Sequence, residues 1–335
     1  MPYAAQHGRP GASRRCAAGA EGVVGHPHRP RVSLIVPALN EAKNLPHVFA
    51  KIGGVDEIIV VDGGSVDDTV QVARRLRPGV KIVYQNRRGK GNALACGFAA
   101  ATGDIIVMID ADGSTDPGEI PSFLSALYAG ADFAKGSRFR ATGGSADITR
   151  LRKLGNRGLN ALVNTLFRTK FSDLCYGYNA FWRHCLPVFG LDVTSAAPSS
   201  GRLWGDGFEI ETLLNLRAAR AGLVMAEVSS FEHRRLHGVS NLNALSDGIR
   251  VLRTIAREWV RPKSRAPRIA TAPPRPDLDA APPQPDLDAT PPPHADLDAA
   301  PPQPDRRSHV PLDGQVGPPP AVDDLGGDRL AEVQR

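Results

Sequence analysis

Cysteine is scarce in this sequence, and the few cysteines have no motif spacing. They are Cys16, Cys96, Cys175 and Cys185, and no two of them form a CxxC pair. Such a set does not supply a disulfide framework or a tetrahedral zinc site. It is typical of a reduced protein, so the sequence predicts a cytoplasmic location.

Long apolar runs are also missing. No stretch of 18 apolar residues occurs, so the sequence predicts no membrane-spanning helix. The first residues include arginines but no apolar segment of the kind found in secretory signals. No compact run of Lys and Arg with interleaved aromatic residues occurs either, which argues against nucleic acid as a partner.

Charge is distributed unevenly along the chain. Residues 262–335 carry 8 Lys and Arg against 12 Asp and Glu, a net charge of −4. Since the whole chain of 335 residues has a net charge of +6, residues 1–261 have a net charge of +10. A basic globular part suits phosphorylated ligands or an anionic membrane surface.

Both ends of the chain have compositions that do not favour a packed core. Residues 1–30 are rich in Gly, Ala, Arg, His and Pro without periodicity, and we interpret them as a disordered arm. Residues 262–335 contain imperfect repeats such as APPRPDLDA and APPQPDLDA. Proline at this density cannot enter a helix or a sheet ladder, so we predict a disordered tail, partly in polyproline II form. The partner of this tail, if there is one, is unknown.

Residues 31–261 alternate short apolar runs with helical segments. Strands are predicted at 32–36, 57–61, 80–84, 105–109, 131–138, 174–182 and 224–231. Helices are predicted from Asn40 to about 52, and over about 68–77, 91–101, 117–128, 150–168, 207–221 and 242–259. Strands that alternate with helices in this way predict an α/β fold with a mostly parallel sheet and right-handed crossovers.

Two carboxylates follow the fourth strand. Asp110 and Asp112 come directly after the apolar run 105–109. On an extended backbone, residues two apart face the same side, and ligands bind outside the carboxyl ends of parallel strands. A pair of this kind suits a hard divalent cation that is shared with substrate phosphates. The alternative is that both residues only form a turn after the strand.

Six segments of the chain resemble motifs of one enzyme family. They are VSLIVPALNEAKNL, EIIVVDGGSVDDT, RGKGNAL, GDIIVMIDADGS, ADFAKGSRF and EVSSFEHRRLHGVSN. In this order, and over about residues 31–255, they resemble the family 2 glycosyltransferases with the GT-A fold. Within the family the pattern is most similar to polyprenyl-phosphate (dolichol-phosphate-type) sugar synthases and their soluble relatives.

The resemblance implies an inverting, metal-dependent transfer of a sugar from a UDP- or GDP-linked donor. By position, Asp110 and Asp112, with Ala111 between them, match the element that holds Mg²⁺ or Mn²⁺ against the diphosphate. Asp112 is thereby also expected to be catalytic. Relatives often have Gln or His two residues later, where this chain has Ser114, a weaker ligand.

The nucleoside is expected to bind after the first two strands. Pro37, Asn40 and Glu41 match the family's loop that receives it, and Asp62 matches an aspartate that contacts the base or ribose. Relatives usually read Asp-Asp-Gly-Ser where this chain reads Asp-Gly-Gly-Ser, which leaves the choice between uracil and guanine open. Lys90, in a glycine-flanked basic loop, is expected to meet a donor phosphate.

Arginines are the expected ligands of phosphate groups, because a planar and permanently charged fork suits phosphate oxygens. The resemblance assigns Arg138 to the diphosphate or the acceptor phosphate, and assigns Arg235 and Ser240 to the family's Arg-x-x-Gly-x-Ser loop. A polyprenyl phosphate acceptor is already anionic, whereas a hydroxyl acceptor needs a general base. Asp206 and Glu209 are the candidates for that base, or else they cap a helix.

The basic amphipathic helix predicted over 150–168 either contacts an anionic membrane from the cytoplasmic side or packs on the sheet. A membrane contact would present a lipid phosphate to the enzyme. The other route is a soluble enzyme that glycosylates a small molecule. Two further alternatives are a sugar-phosphate nucleotidylyltransferase and a sugar-nucleotide-binding scaffold without catalysis.

Removal of the tail tests the domain boundary. Because residues 262–335 contribute no predicted strand or helix, truncation at about residue 261 is expected to leave catalysis intact. Nucleotide release from the sugar donor measures this, with the full chain as reference. A large loss of activity would show that the tail takes part in catalysis.

Overall fold

A computed structural model describes residues 29–197, 202–238 and 244–262. The tail from residue 263 onward and nearly all of the arm expected over 1–30 lie outside these ranges, so both remain predictions. Ser240, one of the expected phosphate ligands, also lies outside the described residues.

Nine strands and eight α-helices occur within the described ranges. The strands are β1 Val32–Ala38, β2 Glu57–Asp62, β3 Lys81–Tyr84, β4 Ile105–Met108, β5 Phe133–Ser137, β6 Gly144–Ser145, β7 Asn179–Trp182, β8 Met225–Ser229 and β9 Phe231–Glu232. The α-helices are α1 Leu45–Ala50, α2 Thr69–Leu76, α3 Lys90–Ala100, α4 Ile120–Tyr128, α5 Arg150–Phe167, α6 Leu186–Phe189, α7 Ile210–Ala221 and α8 Ala244–Val260. Short 3₁₀ turns at Pro117–Glu119 and Arg183–Cys185 precede α4 and α6.

Seven of the strands form one sheet in the order β3-β2-β1-β4-β7-β5-β8. All neighbouring pairs are parallel except those of β7, which is antiparallel to both β4 and β5. A second, two-stranded sheet pairs β6 with β9 in parallel. The predicted α/β fold with a mostly parallel central sheet is confirmed.

The position of β7 is a feature that strand alternation did not predict. It separates β4 from β5, and its Phe181 is fully buried. The Phe181 ring stacks on Phe133 at a centroid distance of 5.5 Å and meets Phe98 edge-on at 5.3 Å. Burial of these three aromatic rings together stabilises the insertion, since each removes a large apolar area from water.

The start of α1 differs from the prediction, which opened this helix at Asn40. Asn40 has a φ of +58°, a left-handed conformation that cannot continue a helix. Its Oδ1 accepts a hydrogen bond of 2.8 Å from the backbone N–H of Val66, and its own N–H donates to Ser65 Oγ at 2.9 Å. These bonds tie the loop after β1 to the loop after β2, so the helix begins only at Leu45.

The buried apolar residues form two clusters. The larger one surrounds the central sheet, where β1 and β4 are buried along nearly their whole length. The smaller one joins α5, α7 and α8 through Val163, Leu216, Val251 and Ile255. Strands buried on both faces carry side chains that contact helices above and below, which accounts for the continuous apolar runs in the sequence.

The α-helices of the described residues are 4 to 18 residues long. None of the helices in these ranges is both long enough and apolar enough to cross a bilayer.

Gly97 allows α3 to lie close against the sheet. A Cβ at this position would lie 2.5 Å from Ile35 Cγ2 and 2.9 Å from Val61 Cγ2. Both are methyl groups of stiff β-branched side chains, so the helix or the strands would have to shift. Gly155 in α5 is the matched case, because its Cβ would meet nothing within 4 Å.

We expect Gly97→Ala to lower the free energy of unfolding by about 1–3 kcal/mol, because overpacking outweighs the gain in helix propensity. Gly155→Ala should instead raise it by up to about 1 kcal/mol. Urea denaturation of the two variants measures the difference. Stabilisation by both substitutions would contradict the close contact of α3 with β1 and β2.

Candidate active site

The site lies at the carboxyl edge of the sheet, where β1, β2 and β4 end side by side. Asp62 is the last residue of β2, and Asp110 follows two residues after the end of β4. The Ile109 N–H donates to Ile35 O at 3.1 Å, so the chain still runs beside β1 as it leaves the sheet. The parallel topology therefore brings these polar residues to one edge, as the sequence predicts.

The sequence-based prediction placed the two carboxylates on an extended backbone. In the structure, β4 ends at Met108, before both of them. Ala111 and Asp112 form a turn, in which Ala111 is buried and Asp112 nearly so. The Ser114 N–H donates to Asp112 Oδ1 at 2.9 Å, and Thr115 Oγ1 accepts from the Asp110 N–H at 3.2 Å. These bonds hold the acidic turn in shape.

Each carboxylate meets a different cation. Lys90 Nζ lies 2.6 Å from Asp110 Oδ1, and Arg235 Nη2 lies 2.8 Å from Asp112 Oδ2. Lys90 is the first residue of α3, and Arg235 belongs to the loop that follows β9. Two distant parts of the chain thus supply positive charge to one acidic turn.

A third carboxylate, that of Glu211, also binds Lys90. Glu211, on α7, places Oε1 at 2.8 Å from Lys90 Nζ. Burial alone would lower the pKa of Lys90, but Asp110 and Glu211 together raise it, so its ammonium group remains charged. Burial raises the pKa of Glu211, and Lys90 opposes that shift. Sequence reasoning assigned no role to Glu211, although it stands in the same acidic segment as Glu209.

Arg235 connects two of the expected site loops. Besides Asp112, it contacts Glu41 Oε1 through Nη1 at 3.1 Å. Burial raises the pKa of Glu41; hydrogen bonds from Asn44 and the charge of Arg235 lower it, while Asp112 adds to the rise. The guanidinium therefore neutralises carboxylates that follow β1 and β4.

The loop carrying Arg235 lies directly on the acidic turn. The Leu236 N–H donates to Asp112 O at 3.1 Å, and the His233 N–H donates to Ser114 O at 2.8 Å. Gly113 has a φ of +79°, and a Cβ there would lie 2.7 Å from Leu236 Cδ1. A glycine is therefore required both for the turn and for the close approach of the loop.

A cavity of about 300 Å³ lies at the same edge of the sheet, at the ends of β2 and β3. Asp62, Gly63, Gly64, Tyr84, Gln85, Asn86, Arg87, Arg88 and Ala197 line it. The Asp62 carboxylate accepts from the Gly64 N–H at 3.0 Å and from the Ser65 N–H at 3.2 Å, which shapes the turn. Pro37 pairs with Val61 in the ladder between β1 and β2, so it supports this edge from within the sheet.

Asp206, one of the two candidate bases, forms a buried ion pair with Arg87. Both of its oxygens accept from Arg87, from Nε and from Nη2, at 2.9 Å each, and both residues are buried. Its backbone O accepts from the Gly91 N–H at 2.8 Å. A carboxylate bound in this way holds the basic loop against the 203–207 segment.

Glu209, the other candidate base, keeps one oxygen available. Oε1 accepts from the N–H groups of Gly205 and Gly207 at 3.1 and 3.3 Å. Oε2 is buried and has no hydrogen-bond partner among the described residues. An unpartnered buried carboxylate oxygen is costly in a folded protein, and such groups often have a functional reason.

Arg138 makes buried ion pairs at the end of β5. It follows β5 and donates from Nε and Nη2 to Asp173, at 2.7 and 3.0 Å, and from Nη1 to Glu232 at 3.0 Å. Its guanidinium lies over the Tyr176 ring at 4.9 Å. Among the described residues it makes no ion pair with Asp110 or Asp112, so its observed contacts hold β5 and β9 together at the site's border.

The carboxylates of the acidic turn are hard oxygen ligands of the kind that a divalent cation prefers. The described residues contain no group of three or more His, Cys, Asp and Glu side chains that could hold a metal ion by themselves. Mg²⁺ in proteins is commonly bound by one or two carboxylates together with substrate phosphates and water. Asp110 and Asp112 supply such a pair, so the residues fit a cation that is shared with a diphosphate.

Comparisons with known proteins identify the family context of this site. The sequence pattern of glycosyl transferase family 2 matches residues 33–186. Glycosyltransferase AglJ of Haloferax volcanii is 30% identical over 221 residues, which is 65% of this chain and 68% of that protein. The uncharacterized glycosyltransferase Rv0539 of Mycobacterium tuberculosis is 43% identical over 107 residues, which is 32% of this chain and 48% of that protein. The chain thus spans about half the length of this last relative.

Solved protein structures also resemble this chain. Glucosyl-3-phosphoglycerate synthase from Mycobacterium tuberculosis, in complex with Mn²⁺, UDP-glucose and phosphoglyceric acid, is 26% identical with a TM-score of 0.54. The match covers 70% of this chain and 81% of that one. A complex of the same synthase with phosphoglyceric acid is 27% identical, with the same TM-score of 0.54, over 70% and 81% of the two chains.

The two candidate bases should differ in their effect on stability. Asp206→Asn leaves the buried Arg87 guanidinium without its ionic partner, so we expect the free energy of unfolding to fall by about 3 kcal/mol. Glu209→Gln keeps an oxygen for both glycine N–H groups and should change it by less than about 1 kcal/mol. Urea denaturation measures both values. A loss below about 1 kcal/mol for Asp206→Asn would contradict its structural role.

Proposed function

This chain belongs to glycosyl transferase family 2, and from that premise we propose that it transfers a sugar from a nucleotide sugar to a phosphate-bearing acceptor, with inversion. One observation carries the proposal. At the carboxyl edge of the sheet, beside the cavity at Asp62, Asp110 and Asp112 alternate with Lys90 and Arg235. Such an edge matches the charge distribution of a nucleoside diphosphate with a divalent cation.

For the donor we propose a UDP-sugar rather than a GDP-sugar. The structural neighbour with the same fold was crystallised with UDP-glucose and Mn²⁺. In this chain the nucleoside would occupy the cavity at the ends of β2 and β3, where Tyr84 is exposed and Asp62 holds the glycine turn. Asn40 and Glu41 would border it from the loop after β1.

Asp110 and Asp112 would hold Mg²⁺ or Mn²⁺. When bound, this cation offsets the charge that grows on the departing nucleoside diphosphate. Lys90 and Arg235 are the residues of this chain that would bind phosphate oxygens at the same place. Glu211 would position Lys90 and Glu41 would position Arg235, because each glutamate forms an ion pair with its partner.

The reaction would be a single displacement at the anomeric carbon. An acceptor oxygen forms a bond to that carbon while the bond to the diphosphate oxygen breaks on the opposite face. We propose a polyprenyl phosphate as acceptor, in agreement with the motif resemblance. Such a phosphate is already anionic near neutral pH, since its second pKa is about 6, and needs no base.

A second candidate acceptor is the hydroxyl of a small phosphorylated molecule. The free oxygen Oε2 of Glu209 favours it, because a hydroxyl acceptor requires a base to take its proton. The similar synthase bound to phosphoglyceric acid supports the same alternative. Asp206, with both oxygens bound to Arg87, is not assigned to this role.

A nucleotide-release assay tests the proposal. UDP- and GDP-sugars are offered with Mn²⁺, with Mg²⁺ or with EDTA, each with and without a polyprenyl phosphate or 3-phosphoglycerate. We expect release of UDP that requires the metal and that increases with one acceptor. Asp112→Ala should lower kcat by at least about 100-fold, because it removes a charge at the leaving group.

Asp116→Asn is the matched control, since Asp116 lies in the same loop, caps the short turn before α4 and otherwise pairs only with the exposed Lys51, at 3.5 Å. Its kcat should stay within about twofold of the parent. Activity that is equal in EDTA, or unchanged in Asp112→Ala, would refute the metal role. Release of GDP alone would refute the choice of donor.

A further inference from the structure

The guanidinium of Arg235 is divided between two carboxylates that belong to different loops. Nη1 lies 3.1 Å from Glu41 Oε1, in the loop after β1. Nη2 lies 2.8 Å from Asp112 Oδ2, in the acidic turn after β4. Because the two ends of one fork hold two different residues, one end can be released while the other stays bound.

The carboxylates of the acidic turn are already engaged by groups of the protein. Asp112 Oδ1 accepts from the Ser114 N–H at 2.9 Å, and Asp112 Oδ2 is the oxygen that binds Arg235. Asp110 Oδ1 binds Lys90. Of the two cations, Lys90 is only 14% exposed at the start of α3, whereas Arg235 is 25% exposed on a loop. Arg235 is therefore the cation with more room to change its partner.

A divalent cation on Asp112 Oδ2 would lie close to the Arg235 guanidinium. Mg²⁺ binds oxygen at about 2.1 Å, so a cation on this oxygen would be within about 5 Å of Nη2. In a partly buried site, a double and a single positive charge at this separation repel each other strongly. Arg235 therefore opposes a cation that arrives alone.

A diphosphate removes this conflict. Its oxygens bring negative charge to both positive groups, and a guanidinium binds phosphate oxygens as well as it binds a carboxylate. Nη2 can then leave Asp112 for a phosphate oxygen, and Oδ2 becomes available to the cation. The side chain that opposes a lone cation thus favours a cation and a diphosphate that bind together.

Glu41 is the fixed point of this exchange. It is buried, its N–H donates to Thr69 Oγ1 at 2.8 Å, and its Oε2 accepts from Asn44. When Nη2 of Arg235 changes its partner, Nη1 can stay on Glu41. The guanidinium then keeps a carboxylate throughout, which avoids the strong destabilisation caused by an unpaired charge in a partly buried place.

The backbone around Arg235 does not have to move in this exchange. The His233 N–H donates to Ser114 O at 2.8 Å. The Leu236 N–H donates to Asp112 O at 3.1 Å. These two bonds anchor the loop on both sides of Arg235, so the exchange is a rotation of one side chain.

We propose that Arg235 couples the binding of the divalent cation to the binding of the donor diphosphate. It occupies Asp112 against a lone cation and transfers to a phosphate oxygen when the nucleotide binds. This role rests on the proposed function, because it requires a donor that contains a diphosphate. Coupling is reciprocal, so the diphosphate raises the affinity for the cation by the same factor as the cation raises the affinity for the diphosphate.

Calorimetric titration of the full-length chain tests the coupling without any measurement of turnover. It gives the Kd of Mn²⁺ alone, and the Kd of UDP, GDP and pyrophosphate in excess Mn²⁺. Arg235→Gln should bind Mn²⁺ alone about fivefold more tightly, because the competing guanidinium is gone. It should bind UDP and pyrophosphate with Mn²⁺ at least about tenfold more weakly, because a charge-assisted hydrogen bond to phosphate is lost.

Arg234→Gln is the matched comparison, since it removes an equal charge from the same loop. Arg234 is exposed, and its Nε donates to Ala146 O at 3.2 Å. Because solvent and salt screen an exposed charge, each Kd should stay within about twofold of the parent value. Adding Asp112→Ala to Arg235→Gln should abolish the gain in Mn²⁺ affinity, because the exchange takes place at Oδ2. Circular dichroism confirms that each variant is folded.

The signs of the two shifts decide the outcome. Mn²⁺ binding that is unchanged or weaker in Arg235→Gln would overturn the proposal, and so would an equal gain in Arg234→Gln. Tighter binding of both Mn²⁺ alone and UDP with Mn²⁺ would also overturn it, because Arg235 would then only repel the cation.

The same titrations separate this role from the proposed function. A chain that releases UDP from the sugar donor but lacks the opposite shifts would refute only the coupling. Opposite shifts with pyrophosphate, in a chain that binds neither UDP nor GDP, would support the coupling and refute the proposed donor.

Discussion

Alternation of charge at the carboxyl edge of the sheet is the interaction on which the site depends. Lys90 lies between Asp110 and Glu211, and Arg235 lies between Asp112 and Glu41. A buried or half-buried carboxylate without a partner would be strongly destabilising, so each of these groups needs the next. The same alternation draws loops from distant parts of the chain to one place, and there it offers carboxylates to a cation and cations to a diphosphate.

Buried ion pairs at the border of the site perform a structural task. Arg87 with Asp206 joins the basic loop before α3 to the segment before α7, and Arg138 with Asp173 and Glu232 joins β5 to β9. Arginine can serve either in a structural ion pair or in a phosphate site, because its fixed fork binds a carboxylate as readily as a phosphate. Residue type and motif position therefore do not separate a ligand arginine from a structural one. The exposed fraction of the side chain does differ, because it is 25% for Arg235 but 2% for Arg87 and 7% for Arg138.

Much of the fold was predictable from local patterns. Strands such as β1 and β4 are largely apolar runs, and a polar residue follows two positions after each ends, so their positions and their parallel order follow from burial on both faces. The place of β7 was not predictable, because its neighbours β4 and β5 are distant in sequence and are selected by the packing of Phe181 against Phe133 and Phe98. The start of α1 was also missed, since hydrogen bonds to the loop after β2 hold Asn40 in a left-handed conformation.

The sequence by itself determined the α/β class, the family and the acidic pair at the end of β4, because these depend on the order of residues along the chain. Only the tertiary structure decided which charges meet. Glu211 binds Lys90, Arg235 binds Asp112 and Asp206 binds Arg87, and each pair joins residues more than a hundred positions apart. It also decided that α5 and α8 share one core. Ion pairs and burial depend on distance in space, which local residue patterns do not encode.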